Sequence, residues 1–476
     1  TIAAFVVAFE RRGRQRVLVL AVVGGCGLGA LRLLSVMPVA SPAIPSKPAM
    51  ATVEGSVARV DGRAVLLRQA AMVPERGMWL ALERPVRITM PSTGTASYGD
   101  TVRVRCWFIP SDRPGDRITR AGRCIARSVG DLRVLATGGG SMTMRAILRF
   151  RDRLTAVVDA TLPEPAASIV AGVLFGVDGR LPEDTIAAFR NTGTIHVLVV
   201  SGWQMTLIGS RFRRTLTTIG MPRQTAILLA GFLLFGFTAM VGFSPPAVRG
   251  ALTVAAFLAV DALGRVSNPL RVLLLVGTGM VAVSPHVLLF DLGFQLSFAA
   301  MAGLLLVSPM IERVIADRFD RMAMLHRIAM SHIGAMLAPW GRELRSLLAA
   351  SVAAAIATAP FLLHIFGTVA LLAPLVNIPV LLILPILMGI GAIAAGIGVL
   401  STMLALPFAW AATTLANAMV RTVEWASALS WAPTIAYRFD AWFLVGMATI
   451  IVAVVAVWYR RRGGSILSPF AAMRDA

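Results

Sequence analysis

Charge, lysine, cysteine and histidine are all scarce in this chain. Only 14% of its 476 residues are charged, about half the share usual in soluble domains. With a mean hydropathy of +0.76, that scarcity excludes an ordinary water-soluble composition. Lys47 is the single lysine, so the net charge of +21 comes almost wholly from arginine. A planar guanidinium suits phosphate recognition, and GC-rich coding would produce the same bias. Three cysteines exclude a disulfide scaffold and a Cys-rich zinc site, and the five histidines are scattered. No Gly-rich Lys-Ser/Thr phosphate loop is found, so any driving energy is expected to come from another protein. The chain opens on Thr1 rather than Met, and Thr1–Phe9 reads as the tail of an apolar segment that begins upstream.

What is abundant is apolar sequence. Stretches long enough to cross a hydrocarbon core of about 30 Å occur at about 17–37, 225–243, 245–263, 269–284, 288–308, 346–366, 379–400, 405–431 and 442–459, with a shorter one at 195–210. The expected fold class is therefore a polytopic α-helical membrane protein of about ten spans. Arginine marks its orientation. The segments Glu10–Arg16, Arg211–Arg214 with Arg223, Arg265 with Arg271, Arg313–Arg345 and Arg460–Arg462 all fall on one side and predict the cytoplasmic face. The alternating segments near Ser244–Pro246, Ser284–Leu289, Gly367–Leu372 and Pro433–Asp440 carry few charges.

The same alternation puts residues 38–194 outside the cytoplasm. After an N-terminal membrane segment (1–40) and the proline-rich Pro38–Pro48, residues 50–135 read as a small β domain. Asp61–Gly62 is a hairpin signal, and Val102, Val104, Cys106 and Phe108 alternate with Arg103, Arg105 and Trp107. An OB-like barrel fits this pattern, as do other small barrels. Cys106 and Cys124 would share an oxidising compartment, which leaves a disulfide open. Residues 142–162 predict a basic amphipathic helix of the interfacial kind. Between residues 38 and 160 there are 19 basic and 10 acidic residues, a net charge of +9 by subtraction. Such a surface attracts polyanions, either nucleic acid or the membrane lipid itself.

Four motifs then follow over roughly 170–400. The first runs from Gly172–Gly176 through Leu181–Pro182 and Phe189–Arg190 to Thr192–Gly193, His196–Val200 and Ser201–Gly202. The second is Gly242–Phe243–Ser244 with Ala247 and Arg249. The third is Asp291–Leu292–Gly293–Phe294–Gln295–Leu296–Ser297–Phe298. The fourth is Ala359–Pro360 through Phe366–Gly367 and on to Leu372–Pro379. In this order they resemble the ComEC competence family. That resemblance implies a competence-type channel domain over 166–460, with a short cytoplasmic tail at 461–476. It also implies single-stranded DNA as the substrate, a periplasmic DNA receptor and a cytosolic translocase as partners, and the bacterial inner membrane as the location. Two departures stand out. Gln204 occupies the position where family members typically carry histidine. The metallo-β-lactamase-like domain of longer members, with its His-x-His-x-Asp-His motif, has no counterpart before Ala476. The chain is therefore expected to hold no nuclease, metal site or cofactor.

The candidate residues for a DNA path are Arg190, His196, Ser201, Gln204, Arg249, Asp291, Gln295, Ser297 and Asn377. Charged groups at membrane depth need a partner or a water-filled cavity. Arg249 and Asp291 are thus either a neutral structural pair or a phosphate contact with its orienting carboxylate. Gln295 and Ser297 suit cavity lining or interhelical hydrogen bonds equally. Asn377 reads as a cavity-lining group or a helix-end cap. Gly242–Pro246 and Leu372–Pro379 read as backbone breaks, tolerated where protein covers them or water reaches them. Arg421 and Glu424, three apart, suggest a local ion pair. His196 and Ser201 lie about 140° apart on a regular helix, which argues against a catalytic pair. The leading functional expectation is a conduit for single-stranded DNA. The alternative is a secondary transporter for a smaller anionic solute.

Overall fold

The computed structural model describes residues 47–461 apart from 62–63, 75–77, 83, 91–95, 111–121, 178–179, 264–267, 326–331, 430–433 and 438. The expected N-terminal membrane segment, most of the proline-rich linker and the tail beyond Arg461 lie outside the described residues.

Alternating apolar residues build the first domain. Its strands are β1 (Ala49–Asp61), β2 (Ala64–Pro74), β3 (Leu80–Leu82), β4 (Val86–Thr89), β5 (Thr101–Pro110), β6 (Gly122–Ile125) and β7 (Leu132–Ala136). On β5, Val102, Val104, Cys106 and Phe108 point inward while Arg103, Arg105 and Trp107 point out, as a period of two requires. Neighbours run β1-β2-β4-β6-β5, and β5 returns to β1, so five strands close into a barrel. Every pairing in that ring is antiparallel except β4 with β6. This is the five-stranded OB-like arrangement, with β3 added to β2 and β7 to β5. Val53, Leu67, Met72, Ile88, Val104 and Phe108 fill its interior. Cys106 and Cys124, on adjacent strands, are joined as a disulfide with Cα atoms 5.6 Å apart.

The helical body follows as α1 (Met142–Thr161), α2 (Ala166–Phe175), α3 (Glu183–Asn191), α4 (Gly202–Thr218), α5 (Arg223–Met240), α6 (Pro245–Ala262), α7 (Pro269–Val283), α8 (Val287–Phe290), α9 (Leu292–Leu306), α10 (Ser308–Leu325), α11 (His332–Ile365), α12 (Ala373–Gly398), α13 (Thr402–Ser427) and α14 (Ala441–Arg461). Ser141 caps α1, which turns Leu154 and Val158 inward against α12 and α13 and leaves Arg149 and Arg153 exposed. The helix α2, apolar except for Ser168, is buried at every position and its apolar residues join that cluster. A second cluster joins α4, α5 and α6 through Met205, Leu234 and Val254. A third joins the end of α9 to α11 and α14 through Val307, at the junction with α10, Ala353 and Tyr459.

Among the described residues, five helices are long and apolar enough to cross a membrane: α5, the Glu343–Ile365 part of α11, α12, α13 and the Trp442–Arg461 part of α14. The pair α9 and α10, bent by 41°, makes a sixth if it counts as one span. The count differs from the ten expected for identifiable reasons. The apolar run at 269–284 yields a helix of 15 residues. The run at 195–210 splits into a 3-10 turn, Ile195–Val197, and α4. The first expected span lies outside the described residues. Arg313–Arg345, expected as a loop, includes the end of α10 and the start of α11.

Contacts sort the helix ends into two sets. At one end, β8 (Thr368–Ala370) pairs with β9 (Thr434–Ala436), joining the connections after α11 and α13. Gly193 lies against Ala370 and Ala373 there. The barrel meets the helical body through Arg59, whose side chain packs on Gly242 in the turn before α6. At the opposite end of α4, α5 and α6, Asp261 pairs with Arg213 at 3.3 Å and Arg223 at 2.5 Å. Barrel and arginine clamp thus occupy opposite ends of these helices.

Candidate functional site

The local chemistry begins with two helix starts. Ser201 caps α4 by accepting from the Gln204 backbone N–H, and Gln204 Oε1 accepts from the Ser201 N–H at 2.5 Å, completing a capping box. Gln204 is fully buried, and its Nε2 has no hydrogen-bond partner. Asp291 caps α9, its Oδ1 accepting from the Phe294 N–H at 3.0 Å. Both starts follow directly from sequence, since Ser and Asp satisfy N–H groups that the helix cannot.

Arg249 projects from the first turns of α6 toward α9 and is only 5% exposed. A Cβ placed on Gly293 would lie 3.3 Å from Arg249 Nη1 and 3.1 Å from Asp291 Oδ1, so guanidinium and carboxylate both border the first turn of α9. The direct ion pair of the structural reading is not formed. No ion pair links Arg249 to Asp291 among the described residues, and Arg249 Nε and Nη1 are buried without partners. Buried polar atoms in folded proteins are almost always satisfied, so each orphan points to water or a ligand.

The remaining candidates divide between structural use and open position. Gln295 Nε2 donates to the carbonyls of Leu288 and Leu289 at 2.9 and 3.0 Å, which ties α9 back to α8. Asn377 Nδ2 donates to Ser351 Oγ at 3.0 Å, bridging α12 to α11, while its Oδ1 is buried and unpartnered. Leu372–Pro379 is not a backbone break, because α12 starts at Ala373 and continues through Pro379. Gly242–Pro246 is a turn with positive φ at Gly242 and Phe243, after which Pro245 and Pro246 open α6. His196 is exposed on the 3-10 turn, its Nδ1 3.1 Å from the Gly193 carbonyl. It shares no helix with Ser201, so the two groups serve separate local contacts. Arg190 is exposed at the end of α3, and Ser297 is half-buried in α9. Arg421 and Glu424 are both exposed and form no ion pair among the described residues.

Sequence reasoning missed Ser351 as the partner of Asn377, and Gly202 with Gly250 as the contact that seats α4 on α6. A Cβ on Gly250 would lie 2.8 Å from Gly202 Cα. Small residues where helices touch were the available signal. Among the described residues, no three His, Cys, Asp or Glu side chains are grouped to hold a metal.

A five-stranded barrel beside a helical body in which five or six helices are long and apolar enough to cross a membrane defines a multi-pass membrane protein. The comparisons place it further. The profile of the Competence protein family matches residues 173–461, and the chain belongs to that family. It is similar to ComE operon protein 3 of Bacillus subtilis (strain 168), 24% identical over 168 residues. That alignment covers 35% of this chain and 22% of the relative, so the chain matches under a quarter of that protein's length. No solved structure matches the chain significantly.

Proposed function

We propose that this protein passes single-stranded DNA through the bacterial inner membrane during natural transformation, from the side of the barrel toward the arginine-clamped end. The observation that carries the reading is a group of buried polar atoms without partners inside an apolar helical body, among them Gln204 Nε2, Arg249 Nε and Nη1, and Asn377 Oδ1, with Ser168 Oγ and Thr413 Oγ1 further examples. In hydrocarbon such groups persist where they line a hydrated route. Membership of the competence family supplies the solute. An outer cationic domain supports it, since β5 presents Arg105 and Arg103, the latter paired with Glu54 at 2.8 Å, on the face of the half-exposed Trp107, a combination that suits a polyanion with stackable bases. A periplasmic receptor would deliver the strand and a cytosolic translocase would pull it. A nuclease for the complementary strand would be a separate activity.

The test is uptake of labelled double-stranded DNA by a deletion strain with and without this chain, measured separately in periplasm and cytoplasm. The expected result is DNA stalled in the periplasm without the chain and single strands in the cytoplasm with it. Equal cytoplasmic entry in both strains overturns the assignment. Saturable import of a small anion under the same conditions would favour a solute transporter instead.

A further inference from the structure

We propose that Arg249 and the first turn of α9 form a binding site for a phosphate group, and that each phosphodiester of a passing strand occupies it in turn. The source of that phosphate rests on the DNA reading above; the site itself rests on geometry.

Arg249 has five N–H donors. Nε and Nη1 are closed off without partners, and Nη2 lies 3.5 Å from a Cβ built on Gly293, beside the first turn of α9. The adjacent carboxylate forms no ion pair with the guanidinium among the described residues, while its Oδ1 caps α9 through Phe294. That cap serves one backbone N–H and leaves others of the first turn, at Leu292 and Gly293, without an intrahelical acceptor. A helix start carries roughly half a positive charge. Gly293 brings backbone rather than side chain to the guanidinium, and any Cβ there would press within 3.3 Å of Nη1. A desolvated guanidinium facing free backbone N–H groups is the donor set that an oxyanion fits. One bound phosphate at a time, next to one carboxylate, gives a site that attracts the strand without trapping it.

Binding to the full chain in phosphatidylcholine nanodiscs, read by anisotropy of a labelled single-stranded oligonucleotide, tests this. Arg249→Gln should weaken binding roughly tenfold and lower the salt-dependence slope by about 0.7. Asp291→Asn keeps a capping oxygen and removes the competing negative charge, so it should tighten binding, an outcome that misfolding does not imitate. An uncharged methylphosphonate strand should not compete. If both variants weaken binding alike, Arg249 and Asp291 are a structural couple and the proposal fails. If Arg249→Gln binds as the parent does, the site is wrong while the DNA reading stands. If no strand binds but inorganic phosphate or phosphatidylglycerol discs bind in an Arg249-dependent way, the anion site stands and the DNA reading falls.

Discussion

Gln204 divides one amide between two tasks. Its Oε1 closes the capping box with Ser201, and its Nε2 stays buried without a partner. The two ends are therefore separable by substitution. Gln204→Leu removes both and should lower stability by about 1 kcal/mol, the usual loss with a cap. Gln204→Glu keeps the acceptor, loses the Nε2 donor and adds negative charge at a helix start, where charge of that sign is favoured. Thermal unfolding in detergent should rank parent and Glu together above Leu. DNA uptake should instead rank both variants below the parent, because each lacks the donor. Equal uptake by parent and Glu would show that the orphaned Nε2 has no part in conduction.

Helix packing here depends on absent side chains as much as on present ones. Gly250 on α6 meets the backbone of Gly202 on α4, and a Cβ would approach Gly202 Cα to 2.8 Å, so that backbone must shift. Gly236 on α5 has nothing within 4 Å of the same construction. Gly250→Ala should therefore destabilise by about 1–3 kcal/mol, the range for overpacking. Gly236→Ala should cause no loss. Comparable melting temperatures for the two variants would contradict the contact between α4 and α6. The same contrast explains what the sequence made legible. Strand alternation, Ser and Asp caps and apolar runs are local, so the barrel, the starts of α4 and α9 and most helices could be read from residues close in the chain. Ser351 under Asn377, Arg59 on Gly242 and the gap between Arg249 and Asp291 depend on elements that meet only in the fold. Among the described residues five or six helices qualify as spans, fewer than the apolar runs suggested, in part because a window of hydropathy does not register the 3-10 turn before α4.

Across the whole molecule, charge is divided along the helix axes. Asp261, Arg213 and Arg223 gather at one end of α4, α5 and α6, and the barrel rests on Gly242 at the other. Arginine is retained on the cytoplasmic side during membrane insertion, so the clamp end is expected inside and the barrel outside. The Cys106–Cys124 bridge suits an oxidising compartment. Arg87 on β4 and Arg214 on α4 are both exposed, and each can be changed to cysteine without disturbing a buried contact. In intact spheroplasts, a membrane-impermeant maleimide should label Arg87→Cys above the level of the parent. It should label Arg214→Cys only after permeabilisation. The reverse pattern would put the barrel in the cytoplasm, where it could not receive a strand from outside, and the direction of transport proposed above would be wrong. Labelling of both without permeabilisation would mean that Arg214 does not lie on the cytoplasmic side, and the assignment of the arginine clamp to that face would have to be abandoned.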